Sequence, residues 1–235
     1  MIEKSEYNGS SNVQIIFTED GSNSLYIPEL DEHYHSFHGA VQESNHVFIN
    51  AGLNHLLKDR LGKSIKILEV GFGTGLNCYL TYLESVKKQI KIEYQGIEAF
   101  PVNSAIIDNL NYQNIIPSHI TEISFKDLHR CSWDTVNQLD KNFNLLKKHH
   151  KIQEVILDSD YDLIYFDAFG PKVQAEMWTE TLFSKLYQSL KNQSILVTYC
   201  AKGEIKRILN RVGFSVESIP GPPGKREMTR AVKKS

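Results

Sequence analysis

Three glycines at alternate positions, Gly71, Gly73 and Gly75, follow the apolar run "IKILEV" in the stretch "EVGFGTGLN". A glycine turn between strand and helix lets a ligand approach the backbone closely, and the helix start offers free N–H groups. A dinucleotide fingerprint would read GxGxxG, but the position that would complete it is Leu76. Glu69 stands just ahead of the turn. A carboxylate there repels a pyrophosphate but accepts a bond from a cationic amino group. Glu98 ends the next apolar run, "KIEYQGIE", where it can accept both hydroxyls of a ribose. Together these residues favour an aminoacyl nucleoside, S-adenosyl-L-methionine, over a dinucleotide. The GxxxxGK[ST] pattern is absent, which removes support for phosphoryl transfer.

A second acid raises the question of what is done with such a ligand. Asp167 in "YFDAFGP" ends the most apolar run of the chain and precedes Gly170 and Pro171. The methyl of S-adenosyl-L-methionine is already activated by its sulfonium, so an enzyme must mostly align a nucleophile and hold charge. An amine nucleophile must be neutral to attack. A carboxylate can orient its N–H groups, stabilise the growing ammonium and take a proton. Phe166 and Trp178 read as packing residues, and Phe169 as a ring able to stack on a base or on adenine. Tyr199 ends the next apolar run, at the cleft edge or in the core. In "GKREM", Lys225 and Arg226 follow the turn-forming "GPPG", suited to a phosphate or a polar substrate edge. Lys202, Lys206 and Arg207 lie nearby in sequence, which makes an RNA backbone a reasonable target. From Ala201 to Ser235 there are nine Lys or Arg against three acids, in a chain of formal charge -2.

These residues need elements to hold them. "NVQIIFTEDG" and "NSLYIPEL" read as a hairpin with an Asp-Gly turn. The second half of "DEHYHSFHGAVQESNHVFINAGLNHLL" reads as a helix, with Phe48, Leu53 and Leu56 or Leu57 on one face. From Ile65 onward strand and helix alternate: "SIKILEV", "TGLNCYLTYLESVKK", "KIEYQGIE", "VNSAIIDNLNY", "DYDLIYF", "QAEMWTETLFSKLYQSL", "SILVTYC", "KGEIKRILNRVG" and "FSVESIPG". Between His119 and Leu157 the pattern is mixed, with "FNLLKKHHKI" a short strand. A Gly/Pro-rich "GPPGKREMTRAVK" closes the chain. Such alternation predicts an α/β fold, a mostly parallel sheet with helices on both faces and ligands beyond the C-terminal strand ends. The expected division is an N-terminal extension over 1–45, packed on a domain over 46–235 that carries an insertion-like region at 119–157.

At 235 residues, 41% apolar and 23% charged, the composition is ordinary for a soluble globular chain. Cys78, Cys131 and Cys200 form no CxxC pair, so neither a zinc site nor a disulfide framework is expected. The odd count, the lack of a signal-like N-terminus and the lack of a membrane-length apolar run make the cytoplasm the expected location. His33, His35 and His38 lack an HExxH pattern; a flexible or substrate-contacting loop is expected there, and no metal.

Taken together, the motifs resemble those of the methyltransferases that complete 5-methylaminomethyl-2-thiouridine at the tRNA wobble position. The resemblance runs from Thr18 to Lys233, through "EVGFGTGLN", "YQGIEAFP", "YDLIYFDAFGPKVQAEMW", "VTYCAKGEIKRIL" and "GKREMTRA". It is to a stand-alone form, similar to the N-terminal domain of a bifunctional enzyme but lacking its FAD oxidase domain. It implies a Rossmann-like class I fold with a small N-terminal β extension. It implies S-adenosyl-L-methionine held by Glu69, Gly71, Phe72, Gly73, Thr74, Gly75, Asn77, Glu98 and Asp167, without FAD. It places Asp167 beside the target amine as the catalytic residue. Phe169, Pro171, Tyr199, Lys202, Lys225, Arg226 and Glu227 would contact the tRNA, with the aminomethyl group of uridine 34 as methyl acceptor. A monomer suffices for such an enzyme. Families of this type place an acid near the adenine amino group. The matching position here is Lys151, which cannot accept that bond; Glu154, Asp127 or a backbone carbonyl are the alternatives.

The competing readings are a methyltransferase acting on a different amine, a small molecule among the options, then a nicotinamide oxidoreductase, and a non-catalytic RNA-binding protein on the same fold.

Overall fold

The computed structural model describes residues 12–60, 62–116 and 123–234. Strands β1 (Gln14–Phe17), β2 (Asn23–Ile27) and β3 (Glu32–His33) form a small antiparallel sheet. Asp20 ties the β1–β2 turn to the helix beyond the sheet, accepting from the Ser22 N–H and the Gln42 N–H, each at 2.9 Å. That helix, α1, covers 40–57. It is α-helical over Ala40–Ser44, wound as a π-helix over Asn45–Asn54 and α-helical again over His55–Leu57. It buries Val47, Phe48, Leu53, Leu56 and Leu57, the face read from the sequence.

The next elements are β4 (Ile65–Val70), α2 (Leu76–Lys88), β5 (Ile92–Glu98), α3 (Ser104–Ile107), α4 (Tyr112–Ile115), α5 (Phe125–Arg130), β6 (Val136–Asp140) and β7 (Phe143–His149). The chain continues through β8 (Tyr161–Phe166), a 3₁₀ turn (Ala175–Trp178), α6 (Glu180–Ser189), β9 (Leu190–Thr198), α7 (Gly203–Val212), β10 (Phe214–Pro220) and β11 (Glu227–Lys233). The one helix expected over "VNSAIIDNLNY" is two, α3 and α4. Asn111 breaks it: its side chain accepts from the Asn23 N–H and donates to the Gly21 carbonyl, drawing the turn onto the β1–β2 hairpin.

Among the described residues the main sheet has eight strands, in the order β10-β11-β9-β8-β4-β5-β7-β6. Strands β9, β8, β4, β5 and β7 run parallel. The chain winds outward from β4 in both directions, so β4 and β8 are neighbours at the switch point where ligands sit in such sheets. Their register pairs Val70 with Phe166, which brings the glycine loop and Asp167 to the same edge. Within 119–157, β7 is an integral strand beside β5, while β6 folds back antiparallel on it.

The segment "EMTRAVK" is a strand, β11, inserted between β9 and β10 and antiparallel to both. The preceding Gly/Pro turn masks it in the sequence, although Met228 and Ala231 are fully buried. One apolar layer packs α1 and α2 against the sheet through Phe48, Leu53, Leu76, Tyr79 and Tyr165, and it takes in Leu25 of the hairpin. The other packs α6 and α7 through Leu182, Phe183, Leu186, Ile205 and Leu209. No helix among the described residues is long and apolar enough to cross a membrane.

Candidate active site

The glycine loop turns sharply off β4. Gly71 and Phe72 donate their N–H groups to the Ile97 carbonyl at 3.0 and 3.2 Å, and Gly75 donates to the Phe72 carbonyl at 2.8 Å. Gly71, Gly73 and Gly75 all have positive φ, at 89°, 50° and 75°, a region that side chains other than glycine enter at a cost. Space is short as well. A Cβ on Gly71 would lie 2.5 Å from the Asp167 carbonyl oxygen, and one on Gly75 would lie 2.8 Å from His129 Nε2. Gly75 then starts α2, leaving that helix's first N–H groups facing the cleft.

Phe72 and Thr74 do not present side chains to a ligand. Phe72 is 3% exposed, its ring packed against Gly96 and edge-on to His129 and Trp133. Thr74 is 2% exposed. What these residues offer is backbone. The Thr74 carbonyl accepts from His129 Nε2 at 2.9 Å, so α5 clamps the loop from outside. Burial holds the His129 ring at about 4, well below the ordinary histidine value, with Lys147 adding to the effect. The ring is therefore neutral at pH 7.

Glu69 lies one layer deeper than its place ahead of the glycine turn suggests. It is fully buried, and both oxygens are engaged: Oε1 accepts from Asn77 Nδ2 at 2.9 Å and Oε2 from the Tyr94 hydroxyl at 2.8 Å. Burial pushes its proton affinity well up, against the pull of these two donors. Rather than offering an oxygen to a cationic group in the cleft, Glu69 orients Asn77. The same Asn77 amide nitrogen also donates to Asp167 Oδ2 at 2.9 Å. Asn77 Oδ1 is buried without a hydrogen-bond partner among the described residues, an acceptor beside the loop that a ligand's amino group would satisfy.

Glu98 is half-buried at the end of β5. It accepts from the Gly73 N–H and the Phe100 N–H, each at 2.9 Å. A carboxylate has room for about four such bonds, so acceptor capacity remains for a ribose hydroxyl. Burial raises its proton affinity, while backbone donors and His149, its register partner on β7, oppose the shift.

Asp167 is the most perturbed acid at the cleft edge. Burial pushes it up to about 7; the charge of Glu43 adds to this, and Asn77 and Lys225 act against it. The loop after it is well tied. Phe169 N–H donates to Gln174 Oε1 at 3.0 Å, Trp178 Nε1 donates to the Phe169 carbonyl at 2.8 Å, and the Tyr199 hydroxyl donates to the Ala168 carbonyl at 2.9 Å. Tyr199 thus ties the end of β9 to the Asp167 loop while its ring packs on the core. The Phe169 ring meets Tyr34 edge-on, with centroids 5.1 Å apart. Pro171 lies half-buried on the same loop.

Among the basic residues only part of the expected cluster faces outward. Lys225 turns inward: its Nζ pairs with Glu43 Oε1 at 2.6 Å and sits 4.1 Å from the centre of the Tyr199 ring. Glu227 pairs with Lys206 at 2.9 Å, so the two clamp α7 to β11. Lys202, Arg207 and Arg226 are exposed. The three early histidines do not converge. His33 stacks on Tyr26, His35 is buried against Ser24, and His38 pairs with Glu19.

Asp127 is committed to capping α5, where it accepts from Ser124, and Lys151 and Glu154 are exposed. The residues that sequence reasoning missed are Tyr34, Glu43 and His129, together with the bridging role of Asn77. Glu43 is 7% exposed. In the sequence it looks like an ordinary acid in the first turn of a helix, and no local signal distinguishes it.

A family model described as S-adenosyl-L-methionine-dependent methyltransferase matches residues 129–234. The chain is 30% identical over 229 residues to the tRNA 5-methylaminomethyl-2-thiouridine biosynthesis bifunctional protein MnmC of Cupriavidus metallidurans, across 92% of this chain and 33% of that protein. It is 29% identical to the protein of the same name from Magnetococcus marinus, across 88% of this chain and 32% of that one. The chain thus spans about a third of the length of the curated relatives it matches. The crystal structure of MNMC2 from Aquifex aeolicus superposes with a TM-score of 0.76 at 25% identity, covering 97% of this chain and 72% of that one. The fold is a Rossmann-like S-adenosyl-L-methionine-dependent methyltransferase sheet with an N-terminal antiparallel extension.

Proposed function

We propose that this S-adenosyl-L-methionine-dependent methyltransferase domain, which resembles MnmC and MNMC2, methylates the aminomethyl nitrogen of 5-aminomethyl-(2-thio)uridine at tRNA wobble position 34, giving the 5-methylaminomethyl form. The observation that carries the reading is the shared amide of Asn77. One NH₂ group bonds both the acid beneath the glycine loop and the acid at the cleft edge, so the cofactor half and the acceptor half form one unit.

The residues present fit the cofactor. Gly71 and Gly75 leave no room for a Cβ and all three glycines sit at positive φ, Asn77 Oδ1 is a buried acceptor without a partner among the described residues, and Glu98 keeps acceptor capacity. Bound there, S-adenosyl-L-methionine would supply a methyl group made electrophilic by its sulfonium, with the neutral thioether as the leaving group. The α2 N-terminus would hold its polar end beside the glycine loop, and Glu98 would take a ribose hydroxyl. Asp167 orients the amine N–H groups and receives the proton that the amine must lose. An acid held at about 7 accepts a proton near neutral pH and releases it afterwards.

Support for a nucleic-acid acceptor comes from the surface around this point. A groove of about 700 Å³ runs between α1 and the 221–225 turn, lined by Gln42, Asn45, His46, Asn50 and Lys225 among others. Lys202, Arg207 and Arg226 are exposed for backbone phosphates. Phe169 and Tyr34 offer rings for a base.

The test is to incubate the protein with labelled S-adenosyl-L-methionine and tRNA carrying the aminomethyl group, then digest and separate the nucleosides. Labelled methylaminomethyl nucleoside is expected. Its absence, in protein that binds the cofactor by calorimetry, overturns the acceptor assignment.

A further inference from the structure

Glu43 and Lys225 are 182 residues apart and meet beside the acceptor site. Glu43 is 7% exposed on the first turn of α1, with Oε2 accepting from the Ser36 N–H and Oε1 from Lys225 Nζ, each at 2.6 Å. Lys225 lies in the turn between β10 and β11, which is pinned by its own N–H donating to the Pro222 carbonyl at 2.9 Å. Its Nζ rests over the Tyr199 ring, and Tyr199 is bonded to Ala168, the neighbour of Asp167. Glu43 is the buried member of this ion pair and Lys225 the half-buried one, so removing the lysine leaves a buried carboxylate without its counter-charge. Here the pair reaches the acidic loop through an unbroken set of contacts.

We propose that the Glu43–Lys225 pair is a positioning device for methyl transfer, its two opposite charges setting how readily Asp167 carries its own negative charge when the amine arrives. The inference rests on the reading of Asp167 as the group beside the acceptor amine. The groups coupled to Asp167 by charge or by a hydrogen bond come from five elements: Glu69 on β4, Asn77 on α2, Glu43 on α1, Tyr199 after β9 and Lys225 on the β10–β11 turn. Two of these are set apart from the rest. Glu43 and Lys225 act on Asp167 in opposite senses while bonded to each other, so neither can be changed without unmasking the other. His35 lies within the field of the same pair and is held at about 4, chiefly by burial, so it stays neutral through the working range.

The experiment uses the full chain with ¹³C-labelled aspartate carboxyls, the Asp167 signal being assigned by its loss in Asp167→Asn. Its titration is followed in wild type, Glu43→Gln, Lys225→Met and Lys225→Arg, alongside the acidic limb of the pH–rate profile for methyl transfer to aminomethyl tRNA. Glu43→Gln is expected to move both midpoints down by about one pH unit, and Lys225→Met to move both up by a similar amount. Lys225→Arg restores the charge and returns the midpoints toward wild type. A purely structural role would lower rate and stability in all variants without opposite displacements. Displacements of one sign, or none, overturn the inference. The carboxyl titration needs no tRNA. If wild type fails to methylate aminomethyl uridine while the opposite displacements stand, the acceptor assignment falls and the charge coupling survives.

Discussion

Gly71 and Asp167 touch backbone to backbone: a Cβ on Gly71 would lie 2.5 Å from the Asp167 carbonyl oxygen, while the Asp167 N–H donates to the Val70 carbonyl at 2.9 Å. The two loops that build the site share one wall. Gly71 also sits at φ 89°. Gly71→Ala therefore combines a steric clash with backbone strain of about 1–3 kcal/mol. It is expected to lower the melting temperature and to reduce cofactor binding, both measurable on the purified chain. A variant that binds S-adenosyl-L-methionine like wild type would show that the loops can separate without loss.

Asn77 joins the two acids. Asn77→Ala leaves Glu69 buried with one donor fewer and takes from Asp167 Oδ2 the amide that reaches it from α2. Leaving a buried polar group without its hydrogen-bond partner costs about 1–3 kcal/mol. The expected loss in cofactor affinity is about tenfold or more, with turnover reduced further because Asp167 is no longer oriented. Calorimetry and single-turnover kinetics separate the two effects. Equal losses in both would count against Asn77 serving both halves.

Asp167 gives a stability prediction with a definite sign. Its folded proton affinity, at about 7, exceeds the ordinary value of 3.8. The folded state therefore holds a proton that the unfolded chain has released, and stability contributed by this group falls as pH rises from about 4 through 7. Asp167→Asn removes that dependence while leaving an oxygen for Asn77 to bond. At pH 8 the variant is expected to melt about 2–4 °C above wild type and to transfer methyl groups at least about tenfold more slowly. A lower melting point at pH 8 would contradict the burial argument.

His35 and His129 run the other way. Both are held at about 4 by burial, against an ordinary value of 6.5. The unfolded chain takes up protons first on acidification, so stability from these two rings is full above about pH 6.5 and is lost as pH falls toward 4. Urea midpoints measured from about pH 7.5 to 5 should decline, and more weakly in His129→Asn than in wild type. Because His129 clamps the Thr74 carbonyl, the same variant should bind the cofactor about tenfold less tightly near neutral pH, the worth of one well-made hydrogen bond. Unchanged affinity would show that the loop holds its shape unaided.

Much of this molecule is legible in its amino-acid sequence. The strand–helix alternation from Ile65, the glycine turn, and the acids Glu98 and Asp167 at strand ends are written in local signals: apolar runs, glycine spacing and a charge where the run stops. A parallel sheet turns such signals into positions, because its ligands gather at C-terminal strand ends. Three features arise from tertiary structure alone. Glu69 is adjacent to the loop in sequence, yet the burial of β4 on both faces places it under the cleft, bonded to Asn77 and Tyr94. "EMTRAVK" becomes a strand because the short turn after β10 sends it back between β9 and β10, where it pairs antiparallel with both. Glu43 and Lys225 read as a surface acid and a surface base until α1 and the β10–β11 turn converge beside Asp167. Local propensity and pattern reach only as far as a helix turn or a strand. The groups coupled to Asp167 come from five separate elements, and their meeting is decided by how the sheet is wound.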